Sequence, residues 1–442
     1  MLVQEPATSD STSKFHLAWR PSGHPSPTWP EARQLAFDCA VPLAPVDVPL
    51  PLAVGRTLTR DVAALQKLPH YDSSAMDGWA INGGGPWILT DHEPFLFPGR
   101  ASVIATGGLV PAGAQSILRK ESGQIHQNAD GSLLLRLNDP AKEGEPGPGQ
   151  HLRPAGEEAA AGEVLIPAGT ILNPAHLALA AVAGHDELQV QAKPVVAIVL
   201  TGSEVVTQGV PAPGQVRDTF GPQLGTVISL LGGTPAGSLR IGDSYPEWLA
   251  ALCGSDAFPG RMPDVIITTG GTGCSGTDHF RAAVAALGGR LLLDGIAMRP
   301  GHPAVLAELP DGRFVVGLPG NPLAAMMALI TLADPLLAAL GGRPLNAVGQ
   351  VTSAADVDPY PGRTRLLPCR FIEGLAFPAS HTGPGMMRGL AWADGVMAVP
   401  PGGVQSGEPV PVLPLPWTQA NQQFFPPPTE HGAPHGPHDT AP

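Results

Sequence analysis

The sequence predicts a multidomain α/β protein: one α/β sheet domain accompanied by two small β-rich domains and a mixed segment of helix and short strand. Three observations lead there. Between Pro194 and Leu340, buried β-branched runs alternate with helical stretches, the pattern of a largely parallel sheet joined by right-handed crossovers. From Asn82 to about Gln150, short alternating runs lie between Gly, Asp and Pro turns, and residues 345–416 return to that pattern. The chain's 442 residues, 43% hydrophobic, allow roughly two to four domains, while 55 Gly and 52 Pro against 14% charged residues imply many turns.

Residues 1–27 are polar and Pro/Ser-rich and are expected to be disordered. Thr28 to Glu31 is a capping box with Pro30 in the first turn, so a helix should start there and end near Cys39. Val46 to Leu50 reads as a short strand and Pro51 to Gly55 as a helical turn. Residues 57–68 lead into LPHYDSSAMDGWAI, polar and turn-forming in apolar surroundings. The runs PWIL, ASVIATG, QSILRKE and GSLLLRL supply strands of the first β-domain, and Pro140 to Gly149 reads as a hinge out of it. Two short β-segments around GTIL and a helix over Pro174 to Ala183 follow. Next come the strand VVAIVL, ending in Thr201-Gly202-Ser203-Glu204, a helix from Phe220 to Leu231, the strand AGSLRI and a helix over Tyr245 to Leu252. LLLDGIAM and AVLAEL suggest a hairpin-like pair. FVVGLP is a further buried strand, running into Gly320, with Asn321 as N-cap and Pro322 at the first position of a long helix.

Between these elements lies the most telling segment, DVIITTGGTGCSGTDHF (Asp264 to Phe280). A buried strand enters a loop holding Gly270, Gly271, Gly273 and Gly276, and Asp278 opens a helix. Exposed backbone N–H groups and a helix start favour an anion, and an acid in the same turn calls for a cation to mediate the contact. A magnesium-held phosphate is therefore the first hypothesis, and an ordinary strand-to-helix turn the bland alternative. Neither GxGxxG nor GxxxxGKS fits the segment. In a parallel sheet, functional loops gather at the strand C-terminal ends. Glu204, the glycine loop and Gly320-Asn321 all fall at such ends.

The net charge of −13 argues against nucleic acid or an anionic membrane as the main partner. Cys39, Cys253, Cys274 and Cys369 lie far apart, without CxxC or zinc spacing, and fit a reducing compartment. The start lacks the basic and apolar regions of a secretory signal, and the apolar run Leu323 to Leu340 carries Asp334-Pro335 and reads as a core helix. A soluble cytoplasmic protein is expected.

Several stretches together resemble the MoeA/gephyrin E-domain family, the molybdopterin molybdenumtransferases. PHYDSSAMDGWA (69–80) is similar to that family's P-x-x-D-x-S-A-M-D-G-Y-A signature. TGGLVPAGAQSILRKE (106–121), RPAGEE (153–158), TGSE (201–204), Arg217-Asp218-Thr219, the glycine loop, MRPGHP (298–303) and LPGNP (318–322) follow in the family's order. The resemblance spans roughly residues 28–416. It implies a three-layer sheet domain of the molybdopterin-binding type over 193–341 and a linker and dimerisation domain from 28–81 and 150–192. It further implies a small β-domain over 82–149 and a C-terminal β-domain over 342–417, while the Pro/His-rich composition of 418–442 predicts a disordered tail. It also implies an elongated homodimer whose active site forms in the dimer cleft, one subunit's sheet domain facing the other's signature loop.

The activity implied is the last step of molybdenum cofactor synthesis. Adenylylated molybdopterin is hydrolysed with Mg²⁺ present, AMP leaves, and molybdate enters the dithiolene. Carried over residue by residue, Asp77 is a catalytic acid, Glu158 stands where the family has an aspartate, Thr106 is a hydroxyl beside the acids, and Asp218 is catalytic or a helix cap. Glu204 and Asp278 are the Mg²⁺ ligands. Ser74, Gly270, Gly271, Gly273 and Ser275 join the substrate-binding set with Gly320, Asn321 and Pro322. In MRPGHP, Arg299 and His302 stand, beside Pro300 and Pro303, where the family commonly has lysines, which keeps one permanent charge and makes the other depend on pH. Arg363 and Arg365 are candidate oxyanion contacts. The implied partners are adenylylated molybdopterin, molybdate, a molybdopterin adenylyltransferase and apo-molybdoenzymes. Two other readings stay open: a weakly active binding or scaffold protein for cofactor delivery, and a molybdopterin adenylyltransferase. The DSSAMDG loop and the flanking domains speak against the latter, which is the sheet domain alone.

Overall fold

The computed structural model describes residues 26–91, 93–138, 145–254, 258, 262–273 and 278–418. Both ends expected to be disordered lie outside the described residues, apart from the short stretches next to Thr28 and Thr418, as do the first half of the expected hinge at 140–149 and residues 274–277 of the glycine loop. The chain divides into two compact units, one of residues 44–191 and the other of residues up to 43 together with those from 192 onwards.

The larger unit is built on a six-stranded sheet. Its order is Thr234–Ile241, Val195–Thr201, Val265–Thr269, Phe314–Leu318, Val305–Glu308 and Arg290–Asp294. The first four strands are mutually parallel and the last two antiparallel. Alternation along a strand sends neighbours to opposite faces. Ile198 and Leu200 join one buried layer beneath the helices Trp29–Asp38, Leu224–Leu230 and the long C-terminal helix, whereas Ala197 and Val199 join another beneath Tyr245–Cys253 and Phe280–Ala286. Helices therefore cover both faces, giving the expected three layers.

The helix Trp29–Asp38 starts where the capping box predicts: Glu31 Oε2 accepts from the Thr28 N–H and hydroxyl, each at 2.8 Å. It packs with the larger unit, so the break between the units falls near Ala44 and not before Thr28. The helix after Asn321 runs from Pro322 to Leu340, with a π-helical turn over Leu329–Ala333 just before Asp334-Pro335. Proline has no N–H and its ring crowds the carbonyl one turn earlier, so a widened turn lets the helix continue. This helix is long and apolar enough to cross a bilayer, yet it is wholly buried inside its unit.

In the same unit, Met298–Arg299, Thr364–Ile372, Leu375–Pro378, Gly349–Ser353, Pro409–Pro414 and Gly395–Val399 form a second sheet. Thr364–Ile372 also pairs with Gly395–Val399, which closes the sheet on itself. Met298–Arg299 thus belongs with the C-terminal strands, while Arg290–Asp294 and Val305–Glu308 make the expected antiparallel pair.

The smaller unit holds another six-stranded sheet, ordered Ser116–Arg119, Gly78–Ile81, Arg100–Ile104, Trp87–Thr90, Leu133–Leu137 and Gly123–Gln127. Gly78–Ile81 is a central strand of it, so the DSSAMDG segment feeds directly into that sheet. Three two-stranded pairs and the helix Pro174–Val182 complete the unit.

Candidate functional site

In the larger unit, the C-terminal ends of the parallel strands open into a cleft of about 900 Å³. Glu204, Gly270, Gly271, Gly273, Asp278, Gly320 and Asn321 line it, from the strand ends where the sequence sets them, and Asp218, Pro303 and Pro322 line it too. Ser275 lies outside the described residues.

The glycine loop approaches its surroundings closely. Gly270 and Gly271 have φ of +77° and +67°, and a Cβ on Gly271 would sit 2.2 Å from the Trp248 ring. Only glycine meets both demands. Not every N–H here is free for a ligand. Gly270 donates to the Leu318 carbonyl at 2.8 Å, extending the sheet, and Gly273 donates to Asp278 Oδ1 at 3.0 Å. Gly271 and Thr272 donate to no described residue, so they are the loop's available N–H groups, in place of the full Gly270–Gly273 set expected. Arg281 fixes the loop's orientation from behind, donating to the carbonyls of Thr272 and Gly273 at 2.8 and 2.9 Å while it pairs with Asp294.

The helix start at Asn321 is less open than its sequence suggests. Asn321 makes no side-chain cap, and the Ala324 N–H donates to the Pro384 carbonyl at 3.1 Å. One of the orphan donors that would attract an anion is therefore already taken.

The acids differ in how far they are engaged. Asp218 Oδ1 accepts from the N–H groups of Phe220 and Gly221 at 2.9 and 3.0 Å, and Oδ2 pairs with Arg240 at 2.5 Å. The carboxylate of Glu204, by contrast, accepts from no described residue. Asp243, also in the cleft, takes the Ser203 N–H at 3.0 Å and so stands beside the residue preceding Glu204. The sequence reading passes over Asp243. Its signal was present: an acid two residues past the end of a parallel strand, at the same sheet edge as Glu204.

Among the described residues no three His, Cys, Asp or Glu side chains converge as a metal cluster. Two hard carboxylates, Glu204 and Asp278, in a cleft with free N–H groups do fit Mg²⁺, which keeps several waters and shares substrate phosphates.

Arg299, His302, Arg363 and Arg365 do not line this cleft. Strand pairing sets Arg299 opposite Arg365. Arg299 donates to the Tyr360 hydroxyl, with its guanidinium carbon 4.8 Å from that ring's centroid, and Arg365 donates to the Asp358 carbonyl at 2.9 Å. These arginines form a second basic locus. His302 Nδ1 lies 2.6 Å from the Ile296 carbonyl, so that nitrogen carries the proton and the ring is tied to the backbone instead of standing free for an oxyanion.

In the smaller unit, Asp77 and Thr106 come together. The Thr106 N–H and hydroxyl donate to Asp77 Oδ1 at 2.7 and 2.8 Å, and they hold the Asp77 carboxyl below the usual carboxylate range. Gly78, at φ +152°, permits this, since a Cβ there would lie 2.0 Å from the Leu118 carbonyl oxygen. Ser74 is buried and its hydroxyl donates to the Met76 carbonyl at 2.5 Å, which makes it a brace of the turn. Glu158 is exposed and its N–H donates to the Leu68 carbonyl at 2.8 Å, at the far end of the ribbon that pairs Ser73–Ser74 with Leu152–Arg153. No described contact joins it to Asp77.

Comparison with known proteins covers almost all of this architecture. A family model for the MoeA N-terminal region (domains I and II) matches residues 28–184, one for a probable molybdopterin binding domain matches 197–339, and one for the MoeA C-terminal region (domain IV) matches 350–415. The chain is 32% identical to molybdopterin molybdenumtransferase 2 of Mycobacterium tuberculosis over 67% of this chain and 76% of that protein. It is 28% identical to the molybdopterin molybdenumtransferase of Bacillus subtilis over 81% and 87%. Among solved structures, a molybdopterin biosynthesis MoeA protein of Pyrococcus horikoshii matches with a TM-score of 0.67 and 26% identity, covering 88% of this chain and 98% of that one.

Proposed function

Because the chain belongs to the MoeA family and so has its place in molybdenum cofactor biosynthesis, we propose that it is a molybdopterin molybdenumtransferase. The reaction inserts molybdate into adenylylated molybdopterin and releases AMP. One observation carries the assignment at the level of chemistry. The cleft sets Glu204 and Asp278 beside the unengaged N–H groups of Gly271 and Thr272, a combination suited to a phosphoric anhydride and a hard cation.

Glu204 and Asp278 would hold Mg²⁺, which when bound neutralises phosphate charge and polarises the phosphoryl oxygens. The loop N–H groups bind the non-bridging oxygens, and Arg281 keeps the loop carbonyls turned away from them. Asp77 remains ionised through the neutral range, because Thr106 lowers its pKa. A strong acid makes a weak base, so Asp77 orients water by accepting a hydrogen bond and does not take up the proton. Glu158 is the second acid in this reading, and Arg299, Arg363 and Arg365 supply cationic contacts for molybdate. The protein acts as a homodimer.

The test is AMP release from adenylylated molybdopterin by the purified protein. Release that requires both molybdate and Mg²⁺, and stops with a chelator, is the expected result. No release with every component present would overturn the assignment.

A further inference from the structure

Resting on that reading, we propose that Arg240 binds the phosphate oxygens of the substrate, and that Asp218 serves by positioning Arg240 and not as a catalytic acid. Arg217 and Arg240 are the cations among the described residues lining the cleft, facing the carboxylates of Glu204, Asp218, Asp243 and Asp278. An anhydride entering among four acids needs a directed donor on the protein wall.

Strand register puts Arg240 within reach. Arg240 pairs with Leu200, and Leu200 pairs with Thr269, the residue before the glycine loop. Two strand spacings place Arg240 Cα on the order of 10 Å from Thr269 Cα, a gap spanned by one arginine side chain and one phosphate. Its neighbours Leu239 and Ile241 pack into the opposite layer, so Arg240 lies on the face shared with Leu200.

The hydrogen bonds then separate the roles. Asp218, with its side chain 8% exposed, is held by two backbone N–H groups on Oδ1 and by Arg240 Nη2 on Oδ2. A Cβ at Gly221 would lie 2.4 Å from Asp218 Oδ2, so this glycine clears the space for that orientation. One acceptor position stays open, on the Oδ2 that is already tied to Arg240. Arg240 spends only Nη2 on the pair, while Nε and Nη1 donate to no described residue and the side chain is 32% exposed. A guanidinium tethered at one tip and open at the others is a pre-aimed phosphate contact, with part of its ordering entropy already lost before binding. Arg217 is placed differently: its Nη1 donates to the Val206 carbonyl and its side chain stands exposed.

The experiment titrates adenylylated molybdopterin into the full chain, alongside AMP release, for the wild type, Arg240→Gln, Arg240→Lys, Asp218→Asn and Arg290→Gln. Arg290 pairs with Glu308 at the far sheet edge and serves as the charge-matched control. Arg240→Gln should weaken binding by about tenfold to a hundredfold, the loss lying in KM more than in kcat, with Arg240→Lys recovering part of it. Asp218→Asn should weaken binding less, and lower kcat far less than the roughly hundredfold or more that loss of a catalytic acid brings. Arg240→Gln binding as tightly as wild type, or losing affinity only in step with a lowered unfolding midpoint, would mean the pair is a structural tie. A hundredfold fall in kcat for Asp218→Asn with unchanged binding would return Asp218 to catalysis. Wild-type protein that neither binds nor releases AMP would sink the proposed activity together with this inference.

Discussion

Asp77 offers the sharpest test at the scale of single residues. Asparagine in its place keeps an Oδ1 that accepts from the Thr106 N–H and hydroxyl, so Asp77→Asn removes the charge with little change of geometry. Molybdenum insertion should fall by about 10²–10⁴-fold, with adenylylated molybdopterin bound as before; unchanged insertion would remove Asp77 from the mechanism. Asp77 has a folded pKa below its unfolded value. Its contribution to stability is therefore present above the ordinary carboxylate pKa and is lost as pH falls through the lower folded one. Its charge is thus constant across neutral pH, and any acid limb of the activity profile in the neutral range should persist unshifted in Thr106→Val. A limb that moves with that substitution would assign it to Asp77. Much of this was legible in the sequence: an acid followed by a glycine in a polar turn reads as a presented carboxylate. What a sequence cannot give is the destination of each donor. The Gly270 N–H goes to Leu318, distant chain brought alongside, while the Gly273 N–H and the His302 ring turn back onto Asp278 and Ile296, neighbours whose approach depends on the path of the turn.

At the scale of elements, start signals were the most readable feature, because caps are local chemistry. Thr28 with Glu31 fixes one helix by its capping box, and Pro322 at the first position marks another although the Asn321 side chain makes no cap. The π-turn before Pro335 follows from proline's missing N–H, but the partners it meets do not. Arg33 on the first helix lies 3.9 Å from Asp334, both side chains nearly fully buried, and also donates to the carbonyls of Ile330 and Asn346 at 2.9 Å each. Burial raises the Asp334 pKa and lowers that of Arg33, so desolvation outweighs their mutual attraction. Such a pair costs most when half of it is removed. Arg33→Met should destabilise the protein by about 3–5 kcal/mol in chemical denaturation, by leaving Asp334 buried with only the Asn346 amide and the weaker pull of Arg343. The double variant Arg33→Met/Asp334→Leu should recover part of that loss, short of wild type because the Ile330 and Asn346 carbonyls stay without their donor. A double variant no more stable than Arg33→Met would show that these carbonyl contacts, and not the charge pair, hold the helices together.

For the whole molecule, the order of domains was legible because sheet-type and β-type patterning alternate along the chain, but the division into units was not. The first helix joins the larger unit through Trp29, Ala32 and Ala36, whose burial against a helix some 300 residues away no local pattern announces. The proposed chemistry draws on both units: Asp77 belongs to one, Glu204 and Asp278 to the other. If, as the homodimer proposal holds, each reaction uses Asp77 of one subunit and the cleft of its partner, the two functions can be separated genetically. Asp77→Asn and Asp278→Asn should each be inactive alone. In the second, the new amide oxygen still accepts the Gly273 N–H, but the charge that would hold the cation is gone. Co-expressed in equal amounts, they assort into dimers of which half are mixed, and each mixed dimer carries one site with both acids intact. Insertion should then return to roughly a quarter of the wild-type rate, with light scattering reporting twice the chain mass. A mixture as inactive as its components, in protein shown to be dimeric, would place both acids of each reaction on a single chain.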